Sequence, residues 1–590
     1  MKIINWNTKG LGSRNKRRVV KDFLKSENPD VVMIQETKKV ECDRRFMGSA
    51  WTIRNKEWAA LPACGASGLD WSPISEESAS RLDSLFTEEE ISKAIFQLDR
   101  DKASRPDGFT IVVFQDYWDV IKEDLVRVFV EFHKNGIINQ SINASFIVLL
   151  PKKSLTKKIS DFKPISLITS LSKIIAKVLS GRLRGVLHET IHSTQGAFVQ
   201  GRQIVDVVLI ANEIVDEKRR LGEKGVVLKI DFEKAYDHMS WDFLDHVLEK
   251  KGFSPRWRKW MSGCLSTVSY AILVNGNAKE WVKASRGLRQ GDPLSPFLFG
   301  LVADVLSRML MRAEERNLLK GFRVGRNKTR ASHLQFADYT IFFSNTRKKE
   351  LHTLKSLLLV FEHISRLKVN LDKSNIYGIN LDQNHISRLA ELLECKASGW
   401  PMLYLGLSLE GNPKAYGFWD SVIERISRRL NGWQKAYLSF RERITLIQSC
   451  LTHMSCYFIS LFKISTLVAA KIERLQRDFL WSGIGEGKRD HLVSWDVVCN
   501  PKVKRGLGFG KISIRNLALL GKWLWKYPRE GSTLWHQVIL SIYGSHSNGW
   551  DANTIVRWSH RCPWKAIAQV FQKFSKFTRF VVGDGERIRF

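Results

Sequence analysis

Val226-Val227-Leu228-Lys229-Ile230-Asp231-Phe232-Glu233-Lys234-Ala235-Tyr236-Asp237 governs the reading of the whole chain. The branched apolar run predicts a buried strand, and Asp231 stands where that strand ends. A helical segment is predicted next, over 240–248. A carboxylate at the lip of a strand can hold a divalent cation over a cleft. A second stretch, Ser332-His333-Leu334-Gln335-Phe336-Ala337-Asp338-Tyr339-Thr340-Ile341-Phe342-Phe343, predicts a hairpin with an acid at its tip. Two such acids from separate strands could share a pair of Mg²⁺ ions and drive in-line phosphoryl transfer. Taken singly, each aspartate reads equally well as a turn residue closing a strand.

The chain's 590 residues give room for three or four domains or one multi-lobed unit, and 44% apolar residues can form a real core. A formal charge of +33, from 93 Lys and Arg against 60 Asp and Glu, points to a polyanion such as nucleic acid. The alternative is a generally basic surface, but 20 Trp and 32 Phe also offer faces on which bases can stack. Eight cysteines without a CxxC pair predict a reducing compartment rather than a disulfide framework. Residues 1–10 lack an apolar signal core, and no run is apolar for the length of a membrane span, so neither secretion nor a membrane partner is expected. Arg14-Asn15-Lys16-Arg17-Arg18 reads as a solvated helix face or as a nuclear address. The expected location is the nucleus, the cytoplasm or both. No unit repeats along the chain, which argues against a purely structural protein.

In chain order, a strand over 2–8 ends at Asn7, a basic helix follows, and a second strand over 30–35 ends at Glu36. Asn-Trp-Asn-Thr-Lys-Gly-Leu-Gly and Ile-Gln-Glu-Thr-Lys in this segment resemble the start of the endonuclease/exonuclease/phosphatase family. That resemblance implies that Asn7 and Glu36 occupy metal- and phosphate-holding positions. The family also needs downstream His and Asp residues, yet the first histidine is His133. About 70 residues cannot bury the family's two-sheet core. Residues 1–69 therefore read as a remnant without nuclease activity.

Residues 69–84, rich in Ser, Glu and Pro, predict a linker. Thr87 through Glu90 predicts a capped helix start with Glu90 as the box partner. A turn over 102–109 precedes a long amphipathic helix over 111–135. A strand over 146–153 has a basic end at Lys152, and Lys163 follows in a basic loop. Helices are predicted over 172–188 and 204–220, with Gln195-Gly196-Ala197-Phe198-Val199-Gln200-Gly201-Arg202 between them. A basic aromatic stretch, Trp257-Arg258-Lys259-Trp260, comes before a hairpin turning at Asn275-Gly276. Arg286 through Pro296 is a glycine-bearing loop whose Gln290 can hydrogen-bond a nucleotide and whose Gly291 lets backbone approach a ligand. A long apolar helix over 297–312 follows. Another helix covers 349–366, residues 404–409 read as strand, and basic, Trp-rich helices run to the end. Cys450, His453 and Cys456 sit three apart in a helical pattern and read as core fillers rather than a zinc site.

Together, over 85–480, these motifs resemble the reverse transcriptase of non-long-terminal-repeat (LINE-type) retrotransposons, particularly the plant lineage. The resemblance implies an α+β, right-handed polymerase of fingers, palm and thumb, with a helical C-terminal region and a small α/β N-terminal remnant. Its divisions would be the remnant over 1–69, a linker and N-terminal extension over 70–133, fingers and palm over 134–412, and thumb plus a basic Trp-rich region over 413–590. It implies an RNA template, a DNA primer or target, deoxynucleoside triphosphates, and two Mg²⁺ ions or Mn²⁺ in their place. Asp231 and Asp338 match the catalytic, metal-binding acids, and Phe232 would lend its backbone carbonyl to a metal. Tyr236 matches the ring that excludes a 2′-hydroxyl. Gln290, Gly291, Lys152, Lys163 and Lys373 match nucleotide-facing positions, Asn370 belongs to the motif of Lys373, and 404–409 matches a primer-gripping turn. Three departures stand out. The family's hairpin has two adjacent aspartates where this chain has Asp338-Tyr339, glycine is usual where Arg105 stands, and arginine is usual where Lys163 stands. Tyr339 supplies no second negative charge at neutral pH. One rival is a basic nucleic-acid-binding remnant without chemistry. Another is an RNA-dependent RNA polymerase, against which Tyr236 argues.

Overall fold

The apolar run at Val226 shows no alternation because both faces of its strand are covered. Val226, Leu228 and Ile230 enter one hydrophobic core, and Val227 enters a second on the opposite face. The computed structural model describes residues 3–7, 11, 14–27, 31–35, 44–51, 69–100, 106–153, 155–415, 417–434, 438–481, 492–545 and 561–578. The strand Gly225–Ile230 is the centre of a five-stranded sheet. Its order is His333–Phe336, Tyr339–Ser344, Gly225–Ile230, Asn375–Ile379 and Lys396–Ser398. The first four strands pair antiparallel and the last joins parallel.

The first core lies between this sheet and the helices Ser295–Glu315, Lys348–Ser365 and Trp241–Lys250. The second lies between the sheet and the Ile204–Arg220 helix, and it continues without a break into the C-terminal helices as far as Val570. A boundary at residue 412 therefore cuts through shared core. A second five-stranded sheet has the order Phe162–Ile168, Ala144–Pro151, Ser269–Val274 and Asn277–Ala278, with Val282–Lys283 also paired to Ser269–Val274.

Several sequence expectations are corrected here. Residues 70–86 are not a spacer: Trp71, Ile74, Leu82 and Phe86 are all buried in the first core. Thr87 does cap its helix through Glu90 N, but the Glu90 carboxylate takes both forks of Arg182, at 2.8 and 2.7 Å. A bidentate arginine gives more than a backbone amide can. The helix expected over 111–135 breaks at Tyr117 into Ile111–Asp116 and Trp118–Asn135. Trp257 and Trp260 are fully buried: Trp260 packs on Phe86 and Phe132, and Trp257 on Phe253 and Trp260, so neither offers a face to bases. Residues 404–409 are the second half of a hairpin, Met402–Tyr404 and Leu407–Leu409, turning at Leu405-Gly406 with φ of 51° and 81°.

At the N-terminus the predicted strand–helix–strand forms. Ile3–Asn7 pairs parallel with Val31–Gln35 across the Arg14–Glu27 helix, on a small core of Leu11, Val20 and Leu24. Asn7 stands opposite Gln35, while Glu36 lies outside the described residues, as does Arg105.

Candidate active site

The hairpin His333–Phe336 and Tyr339–Ser344 closes through two residues, Ala337 and Asp338. Ala337 takes φ +54°, a conformation that favours glycine, and it throws Asp338 to the tip. The hairpin pairs with the central strand in the register Thr340 to Ile230. One step further along that ladder come Tyr339 and Asp231. On the other flank of Asp231 the chain returns: Asn370 N donates to Asp231 O at 2.8 Å, and Glu233 N donates to Lys368 O at 2.7 Å. Lys373 Nζ reaches Asp231 Oδ2 at 3.4 Å.

Asp338 lies within reach of the charge of Asp231. Burial, and behind it the charge of Asp231, holds Asp338 above the ordinary carboxylate range, against the pull of Lys163 and Lys373. Burial, then Asp338 and Asp231, also raise the Tyr339 phenol. A buried carboxylate beside a second acid suits a hard divalent cation with oxygen ligands. No group of three or more His, Cys, Asp and Glu side chains able to hold a metal exists among the described residues. The side chains thus provide two acids, and Tyr339 occupies the place where a third would stand.

The hairpin tip is held from below by a residue that carries no motif of its own. Gln195 is fully buried, and its Oε1 accepts from Ala337 N and Ala197 N, both at 3.0 Å. Its loop runs alongside the hairpin: Gln335 N donates to Thr194 O at 2.9 Å, and Gly196 N to Gln335 O at 2.8 Å. A Cβ on Gly196 would stand 2.3 Å from Val207, so only glycine lets the loop pass between hairpin and helix. Beneath it, Asp304 accepts from His192 N at 2.8 Å, Lys251 Nζ at 2.7 Å and Arg308 Nε at 3.1 Å. Arg202 binds the carbonyls of Ile191, His192 and Gln195. Burial alone would raise Asp304, but Lys251 and Arg308 outweigh it and hold the acid ionised.

The remaining predicted residues converge on the same face, with one exception. Tyr236 stacks on Phe299, ring centroids 5.3 Å apart and planes 12° off parallel, and burial followed by Asp338 raises its phenol. Gln290 points Nε2 toward Asp237 Oδ1 at 3.5 Å, and its carbonyl accepts from Ser166 N at 2.9 Å. Gly291 has φ +107°, and a Cβ there would stand 3.2 Å from Ser166 O. Lys163 lies near enough to act on Asp338. Lys152 is the exception: its ammonium donates to Ser160 O at 3.0 Å, within its own loop. The Phe232 side chain is core, 5.9 Å from Phe361, which leaves only its backbone for the site.

Residues 150–409 match the family model described as reverse transcriptase (RNA-dependent DNA polymerase). That span contains both acids, the Gln195 loop, Gln290-Gly291 and Lys373. The chain carries a reverse transcriptase domain of the non-LTR retrotransposon type. It is 28% identical over 497 residues to the transposon TX1 149 kDa protein of Xenopus laevis, covering 82% of this chain and 36% of that protein. It is 24% identical over 416 residues to the Pol polyprotein of the R2DM retrotransposable element of Drosophila melanogaster, covering 69% and 37%. An uncharacterized mitochondrial protein of Arabidopsis thaliana is 53% identical over 69 residues, 12% of this chain and 57% of that protein. The chain thus spans little more than a third of the TX1 and R2DM proteins it matches.

Within this reverse transcriptase domain the sequence signal for the missed support was present. Asp304 is an acid within the apolar stretch 297–306 of its helix, and a buried charge requires partners. The signal for Gln195 was weaker, since a glutamine before glycine reads as loop. Tyr457 was also missed: its hydroxyl donates to Leu405 O at 2.8 Å and ties a C-terminal helix to the turn at Leu405-Gly406.

Proposed function

We propose that this domain is an RNA-directed DNA polymerase, adding deoxynucleotides to a primer 3′ end on an RNA template. The observation that carries the reading is the convergence of Asp231 and Asp338 from neighbouring strands beside Tyr236, Gln290 and Lys373. On this reading the five-stranded sheet is the palm, the Ala144–Pro151 sheet belongs to the fingers, and the helices after Leu409 form the thumb. Asp231, Asp338 and the Phe232 carbonyl would hold Mg²⁺. Such ions, when bound, neutralise phosphate charge and favour the alkoxide form of the attacking hydroxyl.

The chain's own residues do the positioning. The primer 3′-oxygen forms a bond to the α-phosphorus as the bond to pyrophosphate breaks, and the hydroxyl proton leaves to solvent. Lys163 and Lys373 supply positive charge beside the acids, where the triphosphate would lie. Tyr236, fixed by its stack on Phe299, has no freedom to swing away from a 2′-hydroxyl, so ribonucleotides clash. Gln290, on a loop pinned to Ser166, offers its amide to the incoming nucleotide. Most of the rate enhancement would come from this positioning and from charge neutralisation. Template and primer would be held by phosphate contacts to the basic surface, so binding weakens with salt.

Tyr339 favours a second reading, a nucleic-acid-binding protein of the same fold without chemistry. Primer extension on poly(A) with oligo(dT), dTTP and Mg²⁺ separates the two. Extension by the wild-type chain that Asp231→Ala abolishes supports the polymerase. Absence of extension from both the wild type and Tyr339→Asp would leave only the binding protein.

A further inference from the structure

A groove of about 830 Å³ lies well along the C-terminal half, between the helix Asp420–Gln434 and the segment leading into the helix Thr452–Ile459. The first helix buries Val422, Ile423, Ile426 and Leu430. Its opposite face presents Arg425, Arg428 and Arg429, spaced so that all three fall on one side of the helix. Trp433 closes the row, with the Arg429 guanidinium 5.3 Å from its ring centre and its other contact on Phe479. The facing wall presents His453 and Met454. Just before them the helix widens into a π turn over Ile447–Leu451, a rare feature that recurs at functional sites. Arg425, Arg428 and Arg429 are all exposed, so their guanidinium groups face solvent along the groove.

We infer that this groove is a second nucleic-acid site, which captures unpaired nucleotides apart from the polymerase centre. Arginine forks match phosphate oxygens, and the row of three can follow a strand's backbone. The half-buried Trp433, with Met454 across from it, offers a flat apolar face to a base, and such stacking is tolerant of sequence. A base can stack on such a ring only when it is unpaired and free to leave its neighbours, which a double helix does not allow. The partner is therefore single-stranded RNA or DNA. This site goes beyond the polymerase centre, and its test needs no nucleotide addition, so failure here and failure of the polymerase reading are separate results.

The test is fluorescence anisotropy of the full chain with a short labelled uridine oligomer, the matching DNA oligomer and a blunt RNA–DNA duplex, across a salt series. Arg425→Ala/Arg428→Ala/Arg429→Ala is compared with Lys320→Ala/Arg323→Ala/Lys328→Ala, which removes the same charge from exposed positions elsewhere. The groove variant is expected to weaken both single strands by about tenfold or more, and to lower the slope of log affinity on log salt by about 2, from three phosphate contacts at ~0.7 each. The duplex and the control variant should change little. Equal weakening by the control, an equal loss for the duplex, or no loss at all would each overturn the assignment. If the alanine variant fails to fold, the triple lysine variant decides. It keeps the charge but not the fork, so an intermediate loss for single strands supports the site and wild-type affinity overturns it.

Discussion

Tyr339→Asp would place a third carboxylate beside Asp338 and one ladder step from the Ile230–Thr340 pair, across from Asp231. Cross-strand neighbours on one face lie close together, so the new charge would stand about 6 Å from Asp231. At an effective dielectric near 20 that repulsion is about 3 kcal/mol. Tyr339 is 40% exposed, so solvent screening should leave about half of it. In metal-free buffer the variant should therefore lose about 1–2 kcal/mol of stability against denaturant. Millimolar Mg²⁺ should restore it, because a cation held by three acids binds the folded chain and not the unfolded one. In primer extension the same change should raise the rate by up to about a thousandfold, the equivalent of ~4 kcal/mol of transition-state stabilisation. Denaturation curves with and without Mg²⁺ and single-nucleotide incorporation read these effects. Unchanged metal-free stability together with an unchanged response to Mg²⁺ would refute the geometry, because the added charge would then be remote from Asp231.

Three further outcomes follow from particular contacts. Asp304→Asn leaves Lys251 and Arg308 facing one another without their buried anion, and should cost about 3–5 kcal/mol in urea denaturation; a loss below about 1 kcal/mol would mean that other groups neutralise them. Glu213, to which Tyr543 OH and Trp564 N donate, is pushed by burial up to about 7 from 4.5. Its proton is kept in the folded chain after the unfolded chain has released it, so its stabilising effect is full below pH 4.5 and falls by about 3 kcal/mol as pH rises to about 7. Glu213→Gln should flatten that part of the stability profile, and an unchanged profile would show that Glu213 is not its source. Tyr236→Ala should raise ribonucleotide use relative to deoxynucleotide use by about tenfold or more, read as a ratio of kcat/KM values; an enzyme that still excluded ribonucleotides would remove Tyr236 from the gate.

The central sheet was legible in the sequence and its support was not, for a physical reason. Strand runs such as Val226 to Ile230 and the split apolar halves around Asp338 are local patterns, and the Ile204–Arg220 helix was read to the residue. Partners across the fold leave no local pattern. The C-terminal helices show amphipathic faces, but nothing in them says that Tyr543 and Trp564 meet Glu213, or that Lys526 meets Asp206. Ser and Pro around Trp71 suggested a linker because turn residues are frequent there, yet the apolar residues between them enter the core. Trp257 and Trp260 sit among basic residues in sequence, and helical geometry turns the rings inward and the charges outward. The acids could be named from the chain alone, while the glutamine that fixes one of them could not.

The central claim is that Asp231 and Asp338 serve one cation-holding centre, and Mn²⁺ counted by electron paramagnetic resonance tests it without requiring turnover. The full chain, with primer–template and dTTP, is titrated as wild type, Asp231→Asn, Asp338→Asn and the double variant. Shared ligation predicts that each single substitution removes as much bound Mn²⁺ as the double one. Two partial losses that add to give the double variant's loss would contradict it.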